Sequence, residues 1–366
     1  MKKTMGMIVS CALIASMLTA CGTSETSNSK PNAAPTTSSA TDAISAVSSE
    51  DSKTGEKTDE ASSSYHVEID NYNRTTVYTE VPKRIVSLSY SETEILVALG
   101  LEDKIVGIAE ADNVLDECAP EYRDAISKLN IIASTAEGGV PTLETLLTVD
   151  PDFVYATSYA LNSESGVGEL SDFENYNMNV YVSSTTYKPT CSIDDVYEDI
   201  RNIGKIFQVE DKADALISKM ESKIKDVTKV TANISDPVKA FAYIGGNDSR
   251  AATVGGNALA NDLMTKAGVE NVFGDKQEGM FGVGIEAIVQ ANPDVIILFS
   301  NVGGSGMSTA SEKKEFLKSL DVLQDVTAIK EDRFVEIPDF TMNFGTAQNA
   351  EAVETLAKAI YPDLFA

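Results

Sequence analysis

The sequence predicts an α/β fold of two Rossmann-like lobes, each with a central, mostly parallel sheet, joined by one long rigid helix and separated by a ligand cleft. A helix–strand unit occurs twice: residues 142–157 read TLETLLTVDPDFVYAT and residues 284–299 read GIEAIVQANPDVIILF. The copies align without a gap, so that Glu144 matches Glu286. Each copy combines an amphipathic helix, a Pro-Asp break and an apolar strand. One unit per half of the chain predicts two similar lobes, and clefts between lobes favour small ligands.

Strands alternating with helices account for the first lobe, residues 65–192, and this alternation predicts a largely parallel sheet. Residues 66–79 alternate apolar and polar side chains, which predicts a hairpin or an edge strand. Ser91 and Glu94 fit a capping box at the start of a helix that Gly100 ends. Short apolar runs predict further strands at residues 84–89, 104–108, 153–157 and 179–184.

A helical linker, residues 193–235, follows the first lobe. Apolar residues recur at helical spacing from Ile193 to Phe207 and again from Leu216 to Val227. Residues 212–229 would span about 27 Å as one helix, which we interpret as a rigid rod between the lobes. The second lobe, residues 236–366, repeats the pattern with strands at 240–244, 295–299 and 333–337 and helices at 257–267 and 347–360.

The N-terminus predicts export and a lipid anchor. In residues 1–20, two lysines precede an apolar run, as in a secretory signal peptide. The motif LTAC, ending at Cys21, resembles a bacterial lipobox, which implies cleavage before Cys21 and lipidation of its thiol; the alternative is a plain secreted protein. Between residues 22 and 64, 19 of 43 residues are Ser or Thr. We therefore expect residues 21–64 to be a lipidated, disordered tether at the outer face of the cell membrane.

The charge narrows the range of partners. The chain carries a net charge of −27. Nucleic acid is excluded as a partner because its phosphates would be repelled. Anionic lipid would be repelled too, so membrane attachment must come from the acyl anchor.

Signals for catalysis and for metal binding are nearly absent. His66 is the one histidine, which leaves no basis for a site built on imidazoles or for a Ser-His-Asp triad away from the tether. We predict no enzyme activity, no catalytic residue, no metal site and no cofactor. Cys118 and Cys191 remain after Cys11 and Cys21 are assigned to the signal and the anchor, and the sequence leaves open whether they form a disulfide.

Candidate ligand-binding residues follow the predicted strands. In open α/β sheets, ligands bind beyond the carboxyl ends of the strands. Aromatic, Met, Asn and Arg side chains at these ends suit a large flat or chelated ligand, although ordinary lobe packing is the alternative for any one of them. The candidates at strand ends are Tyr90, Tyr159, Tyr187, Arg250, Asn301, Phe340 and Asn343, and two more, Met280 and Phe281, stand in a Gly-flanked loop just before the second repeat.

The paired glutamates suggest a second kind of contact. An acidic residue in the first helical turn complements the helix dipole, which explains Glu144 and Glu286 one at a time. Their matched places in both lobes have two explanations, inheritance from a duplication or a function as two acidic contacts that dock on basic sites of a membrane partner.

In their order along the chain, several motifs resemble the substrate-binding lipoproteins of ABC importers for iron–siderophore complexes, haem and vitamin B12. The motifs are PKRIVSLSYSETEILVALGLEDKIVGI, the two E-x6-PD segments, GGNALANDLMTKAGVENVF and NAEAVETLAKAIYPDLF, within about residues 80–366. The resemblance implies two lobes that close only slightly on a ligand. It also implies that Glu144 and Glu286 dock on arginines of an ABC permease dimer, which works with its ATPase. We expect the chain to act as a monomer.

The resemblance implies a small metal chelate as the ligand, with any metal arriving inside it. Vitamin B12 binders of this kind use a tryptophan wall, and the chain has no tryptophan. Arg250 and Lys188 are the well-placed cations, which favours a neutral or weakly charged ferric chelate such as a hydroxamate over a catecholate. A corrinoid remains the first alternative, then haem held by Tyr90, Tyr159 or Tyr187. A surface hydrolase would need a nucleophile–base pair or a metal centre, and the sequence offers neither. A sensory lipoprotein that has lost transport is a further alternative.

Overall fold

The computed structural model describes residues 65–109, 115, 118–133, 139–300 and 309–366. They fall within one compact unit, Ser62–Ala366, which contains two parallel sheets flanked by helices. The predicted α/β class is confirmed. Among the helices in these ranges, none is long and apolar enough to cross a membrane.

The first lobe contains a five-stranded parallel sheet preceded by a hairpin. Its strands are β1 Val67–Asn71, β2 Arg74–Tyr78, β3 Ile85–Ser87, β4 Ile105–Ala109, β5 Ile131–Ala133, β6 Phe153–Ala156 and β7 Asn179–Val182. Its helices are α1 Tyr90–Ala98, α2 Pro120–Ile126, α3 Leu143–Thr148 and α4 Leu170–Asn175. The spatial order β5-β4-β3-β6-β7 puts β3, the first strand of the sheet, at its centre.

The predicted hairpin forms and protects the edge of this sheet. Tyr72 and Asn73 both have positive φ, as a two-residue hairpin turn requires. Asn71 then pairs with the edge strand β7, because its side-chain amide donates to the Val182 carbonyl at 2.8 Å and accepts from the Val182 amide at 2.8 Å. The hairpin thereby covers an edge that would otherwise expose unpaired backbone groups.

Two consecutive helices connect the lobes, α5 Ile193–Phe207 and α6 Glu210–Thr231. Gln208 is left-handed and ends α5. The 22 residues of α6 make a rod about 33 Å long. The predicted rod is therefore confirmed, and it extends beyond the predicted bounds at both ends.

The second lobe contains a four-stranded parallel sheet in the order β11-β8-β13-β14 and an antiparallel sheet in the order β12-β10-β9. The strands are β8 Lys239–Tyr243, β9 Gly245–Gly246, β10 Arg250–Val254, β11 Glu270–Asn271, β12 Met280–Gly284, β13 Val295–Ser300 and β14 Phe334–Pro338. The helices are α7 Leu259–Lys266, α8 Ile285–Ala291, α9 Ala310–Ser319, α10 Thr327–Lys330, α11 Phe340–Asn343 and α12 Asn349–Ile360.

The sequence did not predict the antiparallel sheet, and Met280 and Phe281 were placed in a Gly-flanked loop. They belong instead to β12, which pairs with β10 over five residues. Only Val283 of β12 is buried, so the strand lacks the apolar run that revealed the central strands.

The duplicated unit has matching geometry in both lobes. The helix of each copy ends at a left-handed residue, Asp150 in the first and Asn292 in the second. The aspartate of each Pro-Asp pair then accepts backbone hydrogen bonds at the start of the neighbouring strand. Asp152 accepts from the amides of Lys83 and Arg84, at 2.8–3.0 Å, and Asp294 accepts from the amide that begins β8, at 3.0 Å. The aspartate is therefore a structural fastener between the repeat and the sheet.

Replacing Asp152 with alanine is expected to lower the free energy of unfolding by about 1–2 kcal/mol, because two backbone amides lose a charged acceptor. Urea denaturation measures the change. Asp124→Ala is the matched control: Asp124 is exposed and pairs with Lys128 at 2.6 Å, so its loss should cost less than about 0.5 kcal/mol. Equal costs for the two variants would contradict the fastener role.

The predicted capping box at α1 is wrong. The helix begins two residues earlier than the motif requires, with Ser89 instead of Ser91 at the N-cap and no side-chain cap. The Ser89 hydroxyl bonds to the Ser91 hydroxyl at 2.7 Å instead. Glu94 is fully buried and faces the second lobe, because tertiary contacts outweigh the local capping preference.

Candidate functional site

Two small cavities lie between the lobes, at the carboxyl ends of the parallel strands. Cavity A has a volume of about 140 Å³ and is lined by Leu88, Ser89, Tyr90, Ser91, Val140, Thr157, Tyr159, Ala160, Phe340 and Phe344. Cavity B has a volume of about 170 Å³ and is lined by Tyr159, Thr185, Thr186, Lys188, Pro189, Cys191, Asn257, Ala258, Leu259, Gly279, Met280, Asn343 and Phe344. Residues of both lobes line each cavity, as a ligand cleft requires.

Tyr159 and Phe344 border both cavities and so stand between them. Pockets for drug-sized ligands usually measure about 300–1,000 Å³, so neither cavity alone would hold a chelate. Tyr159 is 55 % exposed, and its hydroxyl has no hydrogen bond to any residue that the structure describes. A ligand that filled both cavities would therefore contact its free ring.

The structure brings five of the nine predicted ligand-binding residues into the cavity walls: Tyr90, Tyr159, Met280, Phe340 and Asn343. Three others, Tyr187, Arg250 and Phe281, do not line either cavity. Asn301 lies outside the described residues.

Tyr187 and Phe281 are occupied elsewhere. The Tyr187 ring packs edge-on against Tyr72 of the hairpin at 5.2 Å, and its hydroxyl accepts from the Tyr72 amide at 3.1 Å. Phe281 packs edge-on against Phe273 in the core of the second lobe at 6.1 Å. Position after a strand does not decide the direction of a side chain, which is why the sequence could not separate these rings from the cleft aromatics.

Tyr90 and Glu94 connect the two walls of cavity A. The Tyr90 ring packs edge-on against Phe340 of the second lobe at 5.1 Å, and its hydroxyl donates to Glu94 Oε2 at 2.7 Å. The same oxygen accepts from the Gln348 side-chain amide at 2.8 Å, across 254 residues of sequence. One carboxyl oxygen of the first lobe thus holds a cavity-lining phenol and a residue of the second lobe.

Burial dominates the electrostatics beneath cavity A. It raises the pKa of Glu94 to about 7, against the opposing effect of the bonds from Tyr90 and Gln348. Burial, followed by the Glu94 carboxylate, raises the pKa of Tyr90 well above 10, so this phenol stays protonated. Burial also raises the pKa of Glu92, whose Oε2 accepts from the Ser91 hydroxyl at 2.8 Å.

The walls of cavity B are polar but almost uncharged. Among the described residues that line cavity B, Lys188 has the one cationic side chain, and it forms ion pairs with Asp195 at 2.7 Å and Glu198 at 2.8 Å. These two carboxylates compensate the charge of the ammonium. The remaining polar lining consists of hydroxyls, amides and one thiol. An anionic ligand would therefore find little electrostatic attraction here.

Asp199 of α5 positions the segment that lines cavity B. Its carboxyl group is buried and accepts from the Ser184 amide at 2.8 Å, the Ser184 hydroxyl at 2.6 Å and the Tyr181 hydroxyl at 2.7 Å. Burial raises the pKa of Asp199 to about 7. The network anchors the residues directly before Thr185 and Thr186, which line the cavity.

Several wall residues did not appear among the predicted site residues. They are mainly small or polar: Ser89, Ser91, Thr157, Thr185 and Asn257, together with Phe344. Small polar residues at strand ends are common in any α/β protein, so only a predicted distance between the lobes could have singled these out.

Glu144 and Glu286 are both exposed, each the second residue of its helix. A helix that leads into a parallel strand has its N-terminus at the carboxyl edge of the sheet, where ligands bind. Both glutamates therefore lie on the cleft side of their lobes. Neither forms an ion pair with another residue in the described ranges.

No group of three potential metal-ligating side chains occurs among the described residues. Cys118 and Cys191 are separate buried thiols, which answers the question of pairing for this structure. Cys21, the predicted lipidation site, lies outside the described residues.

Larger pockets exist away from the cleft. One of about 670 Å³ is formed by the end of α6, by α7 and by β11, and one of about 570 Å³ lies beside the hairpin. Each is open and belongs to a single lobe or to its junction with the linker. Neither lies at the carboxyl ends of the parallel strands, so the interlobe cavities are the better candidate site.

Comparisons with known proteins agree on the kind of molecule. The sequence profile described as "Periplasmic binding protein" matches residues 85–340. The ABC transporter substrate-binding lipoprotein YvrC of Bacillus subtilis is 29 % identical over 86 % of this chain and 90 % of its own. The petrobactin-binding protein YclQ of Bacillus subtilis is 24 % identical, over 71 % of this chain and 76 % of its own. The solved structure of an ABC-type Fe3+-hydroxamate transport system from Saccharomonospora viridis has the same fold, with a TM-score of 0.68 and 22 % identity over 80 % of this chain and 98 % of that one.

Proposed function

Since the chain belongs to the periplasmic binding protein family, we propose that it captures a ferric–siderophore complex between its lobes and delivers it to the permease of an ABC importer. The family membership confirms the prediction of a binding protein rather than an enzyme. Two similar proteins are named for petrobactin binding and for Fe3+-hydroxamate transport, which supports an iron chelate. The metal would arrive within the ligand, so the protein needs no cofactor of its own.

One observation carries the choice of ligand: the interlobe walls are aromatic and neutral. Two carboxylates compensate the charge of Lys188, and the aromatic rings come from Tyr90, Tyr159, Phe340 and Phe344. Rings and neutral polar groups bind a bulky chelate through its apolar shell and a few hydrogen bonds. A ferric hydroxamate fits these walls better than a strongly anionic ferric catecholate.

The haem alternative depends on one tyrosine. Tyr90 donates to Glu94 and Tyr187 bonds to the hairpin, so neither phenol is free to ligate iron. Tyr159 would have to be the axial ligand. The corrinoid alternative lacks the tryptophan wall expected from the sequence resemblance.

The outer-surface location also belongs to this proposal. Cys21 would carry the lipid and residues 22–64 would tether the binding unit to the membrane. The name of YvrC, a substrate-binding lipoprotein, supports this arrangement. Mass spectrometry of the membrane fraction should detect an acylated N-terminal Cys21; an unmodified chain secreted into the medium would contradict it.

Tyrosine fluorescence tests the ligand class, because the chain has 13 tyrosines and no tryptophan. The purified full chain is titrated with a ferric trihydroxamate, a ferric catecholate, haem and cobalamin, with correction for ligand absorbance. Saturable quenching by the hydroxamate at sub-micromolar concentration is expected. Saturation by haem or cobalamin alone would select that alternative, and no binding across the panel would contradict the proposed function.

Tyr159→Ala is expected to weaken binding of the ferric trihydroxamate about tenfold, since a stacked ring contributes about 1–1.5 kcal/mol. Tyr176→Ala is the matched control: Tyr176 is 53 % exposed, like Tyr159, but lines neither cavity. Both variants lose one emitter, so the comparison isolates the ring in the cleft. Equal affinities for the two variants would remove Tyr159 from the site.

A further inference from the structure

Arg250 lies on a strand pair that connects the cleft with Glu286. We name the pair of β10 and β12 the ribbon. At one end of the ribbon Val254 faces Met280, which lines cavity B; at the other end Arg250 faces Gly284, the N-cap of α8. Four residues separate these ends, a distance of about 13 Å. Glu286 follows Gly284 by two residues, so the ribbon leads directly to the helix that carries it.

The Arg250 side chain lies on the exposed face of the ribbon. Near Arg250 the residues of the ribbon alternate, with Ala251, Thr253 and Val283 buried on one face; only at the far end of β10 is Val254, of the other face, buried as well. Arg250 and Gly282 belong to the opposite face, where the guanidinium donates to the Gly282 carbonyl at 3.0 Å. A Cβ at position 282 would come within 2.8 Å of the guanidinium, so the glycine leaves the space that the arginine side chain occupies.

The ribbon register thus puts two opposite charges near the start of α8, Arg250 across from its N-cap and Glu286 in its first turn. Within the described ranges, neither Arg250 nor Glu286 forms an ion pair with any residue, and both are exposed. The guanidinium uses one amino group on Gly282 and keeps donors for another acceptor. Arg250 also lines neither interlobe cavity, which separates it from the ligand walls.

The first lobe presents a different surface around its own glutamate. The residues that precede α3, Gly139-Val140-Pro141-Thr142, include no basic side chain. The described part of the first lobe has no ribbon in front of this helix. The two lobes therefore match in the glutamate and differ in the neighbouring cation.

We infer that Arg250 and Glu286 together form the docking surface of the second lobe, and that the permease receives it with an acidic side chain beside a basic one. This inference rests on the proposed function, which supplies the permease as the partner. A paired surface of this kind sets orientation, because a misplaced partner would bring like charges together. Arg250 then belongs to the permease contact and not, as the sequence suggested, to the ligand site.

The test uses the full chain and its permease–ATPase complex reconstituted in lipid nanodiscs. Association of the ligand-free chain with the permease–ATPase complex is measured with the nanodiscs immobilised on a biosensor surface. Affinity of the chain for a ferric trihydroxamate is measured by tyrosine quenching. Arg250→Glu is expected to weaken association at least tenfold and to change chelate affinity less than twofold. Arg250→Lys keeps the charge but loses the planar fork, so an intermediate loss is expected.

Lys330→Glu is the matched control because it makes the same charge change in the same lobe. Lys330 is exposed, pairs with Asp325 at 3.0 Å and lies next to the start of β14, at the edge opposite the cleft. It should associate like wild type. Thermal melting of each variant checks that the fold is intact.

Two results would overturn the inference. Unchanged association of Arg250→Glu would remove Arg250 from the docking surface, and a matching loss of chelate affinity would return it to the ligand site. Failure of the wild-type chain itself to associate would contradict the proposed function instead, so the two failures are distinguishable.

Discussion

Replacing both Glu144 and Glu286 with arginine is expected to abolish uptake of the ligand and to leave its affinity unchanged. The two carboxylates lie on the cleft side of their lobes, are exposed, and form no ion pair with described residues. Reversing both charges changes the net charge of the proposed permease contact by four units and leaves the residues of the cavity walls unchanged. Uptake of a radiolabelled ferric chelate by cells reports the loss, and tyrosine quenching of the purified variant reports the affinity.

A double variant at the opposite edge controls for net charge. Glu270 opens the edge strand β11 and Glu331 directly precedes the turn into β14, so both lie at the amino ends of the strands. Glu270→Arg with Glu331→Arg makes the same charge change and should take up ligand normally. Normal uptake by the Glu144 and Glu286 double variant would reject the docking role, and loss in both double variants would indicate a general effect of charge.

Glu94→Gln is expected to change how stability depends on pH. Burial raises the pKa of Glu94 from 4.5 to about 7, so the folded state holds a proton that the unfolded state has released between these values. Stability is therefore lost as the pH rises from 4.5 through 7. This pKa difference corresponds to about 3 kcal/mol of folding free energy that the wild type loses as the pH rises. The glutamine variant has no proton to release, so it should not lose this free energy. Urea denaturation at pH 5 and pH 8 measures the difference.

Glu354 provides a control of opposite sign. Hydrogen bonds and charges from Lys223 and Lys358 lower the pKa of Glu354. Its carboxylate contributes stability that is present above the unfolded value and is lost as the pH falls. Glu354→Gln should therefore weaken the protein about equally at pH 5 and pH 8, which both lie above the unfolded pKa of 4.5, and less at pH 3. Glu94→Gln should instead raise the stability relative to wild type more at pH 8 than at pH 5. Parallel pH profiles for the two variants would contradict the assignment of Glu94.

A local sequence pattern was sufficient to predict the secondary-structure elements that have a clear periodicity. The central strands are continuous apolar runs, and α6 has an apolar stripe over six turns, so periodicity alone located them. The matched Pro-Asp pairs located the duplication, and the structure adds that each aspartate fastens the repeat to its sheet. The ribbon escaped prediction because β12 is rich in glycine and buries a single side chain.

For the candidate site, prediction from the sequence was limited because the sequence does not give the direction of each side chain. Tyr90, Tyr159 and Tyr187 all follow strands, yet the first packs on the second lobe, the second borders both cavities and the third packs on the hairpin. Glu94 fitted a capping motif and instead holds Gln348. Each outcome depends on a partner far away in the chain, which a local motif does not contain.

Periodicity, repetition and composition were enough to predict the two-lobed α/β plan, the rod and the paired glutamates, because each of these is a regularity of the sequence. Contacts between distant parts of the chain settle which aromatic rings face the cleft, that Lys188 pairs with two carboxylates, that Glu94 is buried between the lobes, and that Arg250 faces the N-cap of the helix that carries Glu286. Burial and pairing depend on two surfaces in contact, and the relative placement of the lobes brings together residues that are up to 254 positions apart.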